Sequence, residues 1–322
     1  MKKRIIIYIN LFLLIVIFLL LLKIFNKKDV LGVSINPISV DDVISSPSGR
    51  LKFFYEPKPF SQGEKVPSYM PYKAHYAINS DSLNERYEYN QKKEKGVFRI
   101  ITLGDSFTYG IYVDTKDNWT ELLEDELNTR LVCKNISKFE VINLGVYGYD
   151  SDYSVERFRR RGMIYSPDLV FWFQVVPTRI NELITALSKK YYAEASRSGE
   201  LKKQIAEGKY YENGLKAREQ LIKSWGIDRV LNYQKRAMLA IKQYYLGPLV
   251  VMVHPSLTNR EKEVMQETVK QAQGWQFFDG LENFIQENGF FKNDGHPNQK
   301  GHKIIADDIF NYLKNSGIMP CD

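Results

Sequence analysis

The hydrophobic pattern divides the chain into three unlike stretches. Ile5–Leu22 are apolar except for Tyr8 and Asn10, and Ile24 and Phe25 extend the run past Lys23. About twenty apolar residues span a bilayer as a helix, and a lysine near its end can snorkel to the interface. No small-residue cleavage site follows Leu22, so the pattern predicts an uncleaved anchor over residues 1–28. Residues 29–97 keep no sustained period, because Pro57, Pro59, Pro67 and Pro71 interrupt it; they read as a stalk and an irregular lead-in. From Phe98 onwards short apolar runs alternate with amphipathic ones.

Phe98–Leu103, Phe139–Leu144, Asp168–Val176, Pro248–His254 and Trp275–Phe278 read as five strands. The third is almost continuously apolar, as in a parallel strand covered on both faces. Asn118-Trp-Thr-Glu121 reads as an N-cap with a glutamate three residues on, opening a helix that carries Trp119, Leu122, Leu123, Leu127 and Leu131. Further helices are expected near 151–161, 260–271 and 298–313, the last turning Ile305, Ile309, Tyr312 and Leu313 inward. This alternation predicts an α/β fold, a flavodoxin-like doubly wound sheet of about five parallel strands. Residues 179–246 are too long for a simple crossover and read as a polar helical insert.

Charge changes the picture only locally. The net +7 is carried largely by residues 1–28, which hold six basic and no acidic side chains, leaving 39 basic against 38 acidic elsewhere. The balance therefore points to a membrane as partner through residues 1–28 and not to nucleic acid. Lysines and arginine flank the apolar run almost evenly. The N-terminal amine tips the expected topology to a single pass with the domain outside the cytoplasm. Within the insert, Arg179–Lys242 hold fourteen basic against seven acidic residues, interleaved with tyrosines. Such a surface suits an anionic glycan or lipid headgroups, and equally a solvated helical hairpin. Cys133 and Cys321 have no metal-like spacing, and both a disulfide and buried thiols stay open. Asn118-Trp-Thr and Asn135-Ile-Ser are glycosylation sequons if the source is eukaryotic. No Walker loop, dinucleotide fingerprint or zinc spacing occurs, so no cofactor or metal is expected.

Two stretches carry candidate chemistry. The first strand stops at Gly104 and turns through Asp105 and Ser106, at the sheet edge where open α/β folds bind ligands. A serine there either caps the next helix or attacks an acyl carbon, given a base and oxyanion donors. The second stretch, Asn293-Asp-Gly-His-Pro-Asn-Gln-Lys-Gly-His302, sets a carboxylate and an imidazole two residues apart. Of the four histidines, only His296 has such a partner, Asp294, which would fix its tautomer and stabilise the imidazolium. His302 reads as structural, His254 as a pocket or core residue, and His75 has no assignable role.

Together with Asn143-Leu-Gly-Val-Tyr-Gly148, and in this order, these motifs resemble the SGNH/GDSL hydrolase family. The resemblance runs from about Phe98 to Leu313, interrupted by the insert, and places a hydrolase domain over 98–322. It implies a serine ester hydrolase with Ser106, His296 and Asp294 as triad and the N–H groups of Ser106 and Gly148 as oxyanion donors. Many members set the aspartate three residues before the histidine, here Asn293; related tethered members use the two-residue spacing that selects Asp294. The third block departs from the usual Gly-Asn-Asp. It reads Val175-Val-Pro-Thr-Arg-Ile-Asn-Glu182, leaving Thr178, or Asn181 through a bulge, as the further donor. Tyr76–Asn84 resembles the lead-in of tethered members and is expected to pack along the sheet without chemistry. The implied function is a membrane-anchored esterase acting on an O-acylated envelope glycan or an acyl lipid. Acyl transfer to a cell-surface glycan and a non-catalytic binding protein on the same fold are the alternatives. A flavodoxin-like ligand-binding domain would leave Asp294-Gly-His296 unexplained.

Overall fold

The five apolar runs pair in one parallel sheet. Its strands are Val97–Leu103, Lys138–Asn143, Leu169–Gln174, Leu249–Val253 and Trp275–Phe278, designated β5 to β9, with four shorter strands before them and two after. The order is β6-β5-β7-β8-β9. In order of appearance this is 2-1-3-4-5, the flavodoxin arrangement, whose strand order reverses between the first and third strands. The computed structural model describes residues 43–46, 48–65, 74–197, 210–291 and 294–321. The expected anchor over 1–28 lies outside them, and among the described residues no helix is long and apolar enough to cross a membrane.

The two-residue period of the strands sends side chains to opposite faces. Ile100, Val141, Phe171, Phe173, Val250 and Met252 pack on one face. Helices α2 (Trp119–Arg130) and α9 (Gln299–Ser316) cover it through Leu123, Leu127, Ile305, Ile309 and Leu313. Ile101, Leu103, Ile142, Val170, Trp172 and Val251 pack on the other. There α3 (Ser151–Arg157), α6 (Ile227–Leu239) and α7 (Asn259–Lys270) contribute Val155, Leu231, Met238, Val264 and Met265. Both layers thus match the periodicity of the sequence. Cys133, after α2, is disulfide-bonded to Cys321 beyond α9 and closes the first layer covalently.

The lead-in is more regular than its prolines suggest. It holds two antiparallel pairs, β1 (Val43–Ser45) with β2 (Tyr55–Pro57) and β3 (Gln62–Lys65) with β4 (Ala74–Ala77). Strands of three or four residues are too short for a period to emerge. Leu51, Phe54, Tyr76 and Ile78 are buried against Tyr109, Tyr112, Tyr147, Tyr149 and Tyr153, so this segment packs on the loops at the C-terminal end of the sheet. Glu56 joins Arg157 and Arg161 in a buried ion cluster. Burial alone would raise its pKa, but the two guanidinium groups outweigh that and hold it below the usual carboxylate range.

The insert comprises α4 (Asn181–Arg197), α5 (Tyr210–Trp225) and α6, with residues 198–209 outside the described set. Ile184, Ala217, Leu221 and Val230 form a small core of their own.

Strand β6 lies at the sheet edge, with unpaired N–H groups that would otherwise template another strand. Side chains cap all three. Phe139 N–H donates to Asn128 Oδ1 at 2.9 Å, Val141 N–H to Glu124 Oε2 at 2.7 Å, and Asn143 N–H to Glu85 Oε1. Burial raises Glu85 well above the normal range, with Glu121 as the next cause, and raises Glu124 to about 7. A carboxyl with a raised folded pKa stabilises the fold most below its unfolded value, and that contribution falls as pH rises through the folded value. Unfolding stability should therefore decline from about pH 4.5 to about pH 7. Glu124→Gln, which keeps an acceptor but cannot ionise, should flatten part of that decline in urea titrations at each pH. A slope equal to wild type would show that Glu124 is ionised without cost.

Candidate active site

Ser106 opens a helix of only four residues, α1 (Ser106–Tyr109), reached from β5 through Gly104. Gly104 has φ +156°, and a Cβ there would meet Thr108 Oγ1 at 2.3 Å and the Phe173 carbonyl at 3.1 Å. Only glycine fits so sharp a strand-to-helix turn. Asp105 caps α1 by accepting the Phe107 N–H at 3.1 Å. Burial raises the Asp105 pKa, and Arg179, 3.6 Å away, works against that rise.

A helix this short satisfies none of its carbonyls internally. Ser106 O accepts the N–H groups of Gly110 and Ile111, each at 3.1 Å. Phe107 O accepts the Trp119 indole at 3.0 Å. Thr108 O accepts the amides of Asn118 and Asn143 at 3.0 and 2.9 Å. Tyr109 O accepts those of Asn84 and Asn118 at 2.8 and 3.1 Å. The capping box expected at Asn118 is consequently not formed: Asn118 is fully buried with its amide turned to α1, and Glu121 binds Arg86 instead. The same burial closes Asn118 to glycosylation. Of these three asparagines only Asn143, within the Asn-Leu-Gly block, carries a signal of this role in the sequence.

His296 sits on β11 (Asp294–Pro297), paired with β10 (Phe290–Phe291); the flanking residues 292 and 293 lie outside the described set. Its Nε2 is 2.7 Å from Ser106 Oγ, across 190 positions of sequence. Its Nδ1 is hydrogen-bonded to Asp294 Oδ1, which also accepts the His296 N–H at 3.0 Å. This pattern assigns the Nδ1–H tautomer, leaving the Nε2 lone pair for the serine hydroxyl. The imidazole lies between Phe107 and Tyr112, with ring centroids 5.1 and 5.6 Å away. The structure thus brings Ser106, His296 and Asp294 into one hydrogen-bonded row.

After His296, Asn298 caps α9 by accepting the Gly301 N–H at 2.9 Å. His302 Nδ1 then accepts the backbone N–H of Trp119 at 3.1 Å. One residue, Trp119, therefore holds the serine helix through its indole and the helix behind His296 through its backbone. His254, at the end of β8, accepts the Ser256 N–H at 3.2 Å and lies 5.2 Å from the Phe107 ring. Burial, with His296 as the next cause, lowers His254 to about 4 and His302 to about 3. Both stay neutral near pH 7. His75, on β4, is an exposed partner of Asp114.

The loop after β6 crosses α1 closely, with Val146 N–H donating to Gly104 O at 3.2 Å. It ends at Gly148, whose φ of +75° is favoured by glycine. Among the described residues, no acceptor takes the backbone N–H of Ser106 or of Gly148. The third-block residues have other partners. The buried Thr178 hydroxyl accepts the Arg218 guanidinium of α5 at 3.0 Å. Asn181 donates its side-chain amide to Gly148 O at 2.7 Å and its backbone N–H to Asp150 Oδ2 at 2.6 Å. Burial, then Asp152, raises Asp150 to about 7. Among the described residues no group of side chains is arranged to hold a metal ion.

Trp119→Phe keeps the ring and removes the indole donor, leaving the buried Phe107 carbonyl unpaired. A loss of about 1–3 kcal/mol is expected in chemical unfolding. Unchanged stability would show that α1 does not depend on this link.

No family model and no curated protein matches the chain. Solved structures do match. One is the psychrotrophic esterase EstA from Pseudoalteromonas sp., at 15% identity and TM-score 0.38, covering 68% of this chain and 97% of that one. Another is described as a lipolytic protein of the G-D-S-L family from Desulfitobacterium hafniense DCB-2, at 15% identity and TM-score 0.37, covering 66% and 98%. A third is a catalytic mutant of Axe2, an acetylxylan esterase from Geobacillus stearothermophilus, at 12% identity and TM-score 0.42, covering 72% and 99%. Two of these three are described as esterases, and the other is assigned to the family that the sequence motifs resemble. What the site can do chemically is set by the geometry of Ser106, His296 and Asp294.

Proposed function

We propose that this protein is a serine ester hydrolase of the SGNH/GDSL kind. The observation that carries the reading is the row Ser106 Oγ, His296 Nε2 at 2.7 Å, His296 Nδ1, Asp294 Oδ1. Ser106 Oγ attacks the ester carbon as its proton passes to Nε2, and the carbonyl electrons move onto oxygen. The N–H groups of Ser106 and Gly148 stabilise that oxyanion. Asp294 holds the imidazolium and does not itself take the proton. Collapse expels the alcohol, which leaves with the proton from Nε2. Water then repeats the sequence on the acyl-enzyme and frees the acid. Thr178 and Asn181 spend their side chains on Arg218 and Gly148 O. Turnover therefore relies on two backbone donors, and one donor fewer lowers it by roughly 10²–10³.

The proposed substrate is an O-acylated envelope glycan or an acyl lipid, reached by a domain tethered through residues 1–28 outside the cytoplasm. The apolar run Ile5–Leu22 supports the tether, and the disulfide between Cys133 and Cys321 supports an oxidising compartment.

A fluorophosphonate probe should label wild type but not Ser106→Ala. Ser106→Ala and His296→Ala should each abolish hydrolysis of a short-chain ester while remaining folded, and the double variant should lose little more. Full activity in either single variant would end the triad assignment. Removal of residues 1–28 should leave a soluble, active domain and release it from membrane fractions. An insoluble product would place that stretch in the core.

A further inference from the structure

We propose that Tyr55, in the lead-in, is a positioning residue for the oxyanion donor Gly148; the inference rests on the esterase reading above. Tyr55 Oη donates to the Tyr147 carbonyl at 2.6 Å. That carbonyl belongs to the same peptide unit as the Gly148 N–H, so the hydrogen bond fixes the plane in which the donor points. It also polarises the amide, since an acceptor charged by a hydrogen bond at its oxygen makes its own N–H a stronger donor. On the other side, Asn181 Nδ2 holds the Gly148 carbonyl at 2.7 Å. Both peptide planes at a residue with φ +75° are therefore set by side chains from other segments.

Tyr55 is itself held in place. It pairs with Ser45 in the β1–β2 ribbon, and its carbonyl accepts the Tyr149 hydroxyl. Its ring meets those of Tyr147, Tyr149 and Tyr153 at centroid distances of 5.9, 5.4 and 6.0 Å. The packed ring fixes the position of Oη, and the hydrogen bond to the Tyr147 carbonyl sets the direction of its O–H. The lead-in thereby takes part in the chemistry through one atom, where packing alone would need only the ring. A bond of this size shifts the reaction by the modest amount typical of a hydrogen bond felt through one peptide.

The test is Tyr55→Phe in the full chain, which keeps the ring and removes the hydroxyl. Expected are a roughly tenfold fall in kcat on a short-chain ester and a KM within about twofold of wild type. The thermal midpoint should fall by no more than a few degrees, the cost of one weakened carbonyl contact, and leave the variant folded at the assay temperature. Affinity for an alkyl boronic acid, whose tetrahedral adduct on Ser106 places an oxygen on the same donors, should fall by the same factor as kcat. A wild-type kcat, or a fall in kcat with boronate affinity unchanged, overturns the role and leaves the triad standing. Absence of ester turnover in wild type overturns both readings. Should Tyr55→Phe fail to fold, 3-fluorotyrosine at position 55 decides: its more acidic hydroxyl donates more strongly and raises kcat, and an unchanged kcat overturns the proposal.

Discussion

The site depends on keeping a four-residue helix folded. Such a helix lies far below the length at which a helix is stable alone, and each of its carbonyls would be buried unpaired. Every one is instead satisfied from elsewhere: by the αL turn at Gly110, by the Trp119 indole, and by the amides of Asn84, Asn118 and Asn143. Each unpaired buried acceptor would cost about 1–3 kcal/mol, so the turn that presents Ser106 exists only because distant segments converge on it. Asparagine suits the task, since its short amide donates two hydrogen bonds and adds no charge in a dry site.

Trp119 extends this constraint to the segment that carries His296. Its indole holds the Phe107 carbonyl, and its backbone N–H goes to His302 in the helix that follows His296. The serine and the histidine, far apart in sequence, are thus referred to one rigid residue at the start of α2. Keeping His302 neutral is part of that arrangement: Nδ1 can accept the Trp119 N–H only while unprotonated, and full burial keeps it so. The nearby His254 is neutral for the same reason.

The lead-in and the insert brace the loops at the C-terminal edge of the sheet from two directions. The first contributes Tyr55, Tyr76 and Asn84, the second Arg218 and Gln234, whose amide donates to Arg179 O. The switch point between β5 and β7 leaves a crevice there, as in other open α/β sheets. Here it is lined by the buried carboxyls of Asp105 and Asp150, which burial holds above the usual carboxylate range while the half-buried Arg179 attracts both and offsets part of that rise.

The five strands, their parallel character and the helices between them were legible in the chain because period, run length and alternation are local properties. So were Ser106, His296 and Asp294 as candidates, since a serine at a strand end and an aspartate beside a histidine stand out without coordinates. Whether those residues meet was a different question. The 2.7 Å contact depends on a sheet order and a helix crossing that no window of sequence contains. The same non-locality explains the places where a local signal misled. Asn118 and Glu121 spell a capping box, yet the buried carbonyls of α1 and the guanidinium of Arg86 compete for those side chains and win. Thr178 and Asn181 stand near the expected third-block position, but Arg218 and Gly148 claim them. A polar side chain in a buried setting goes to whichever unpaired group would cost most if left alone, and only the folded chain establishes which group that is.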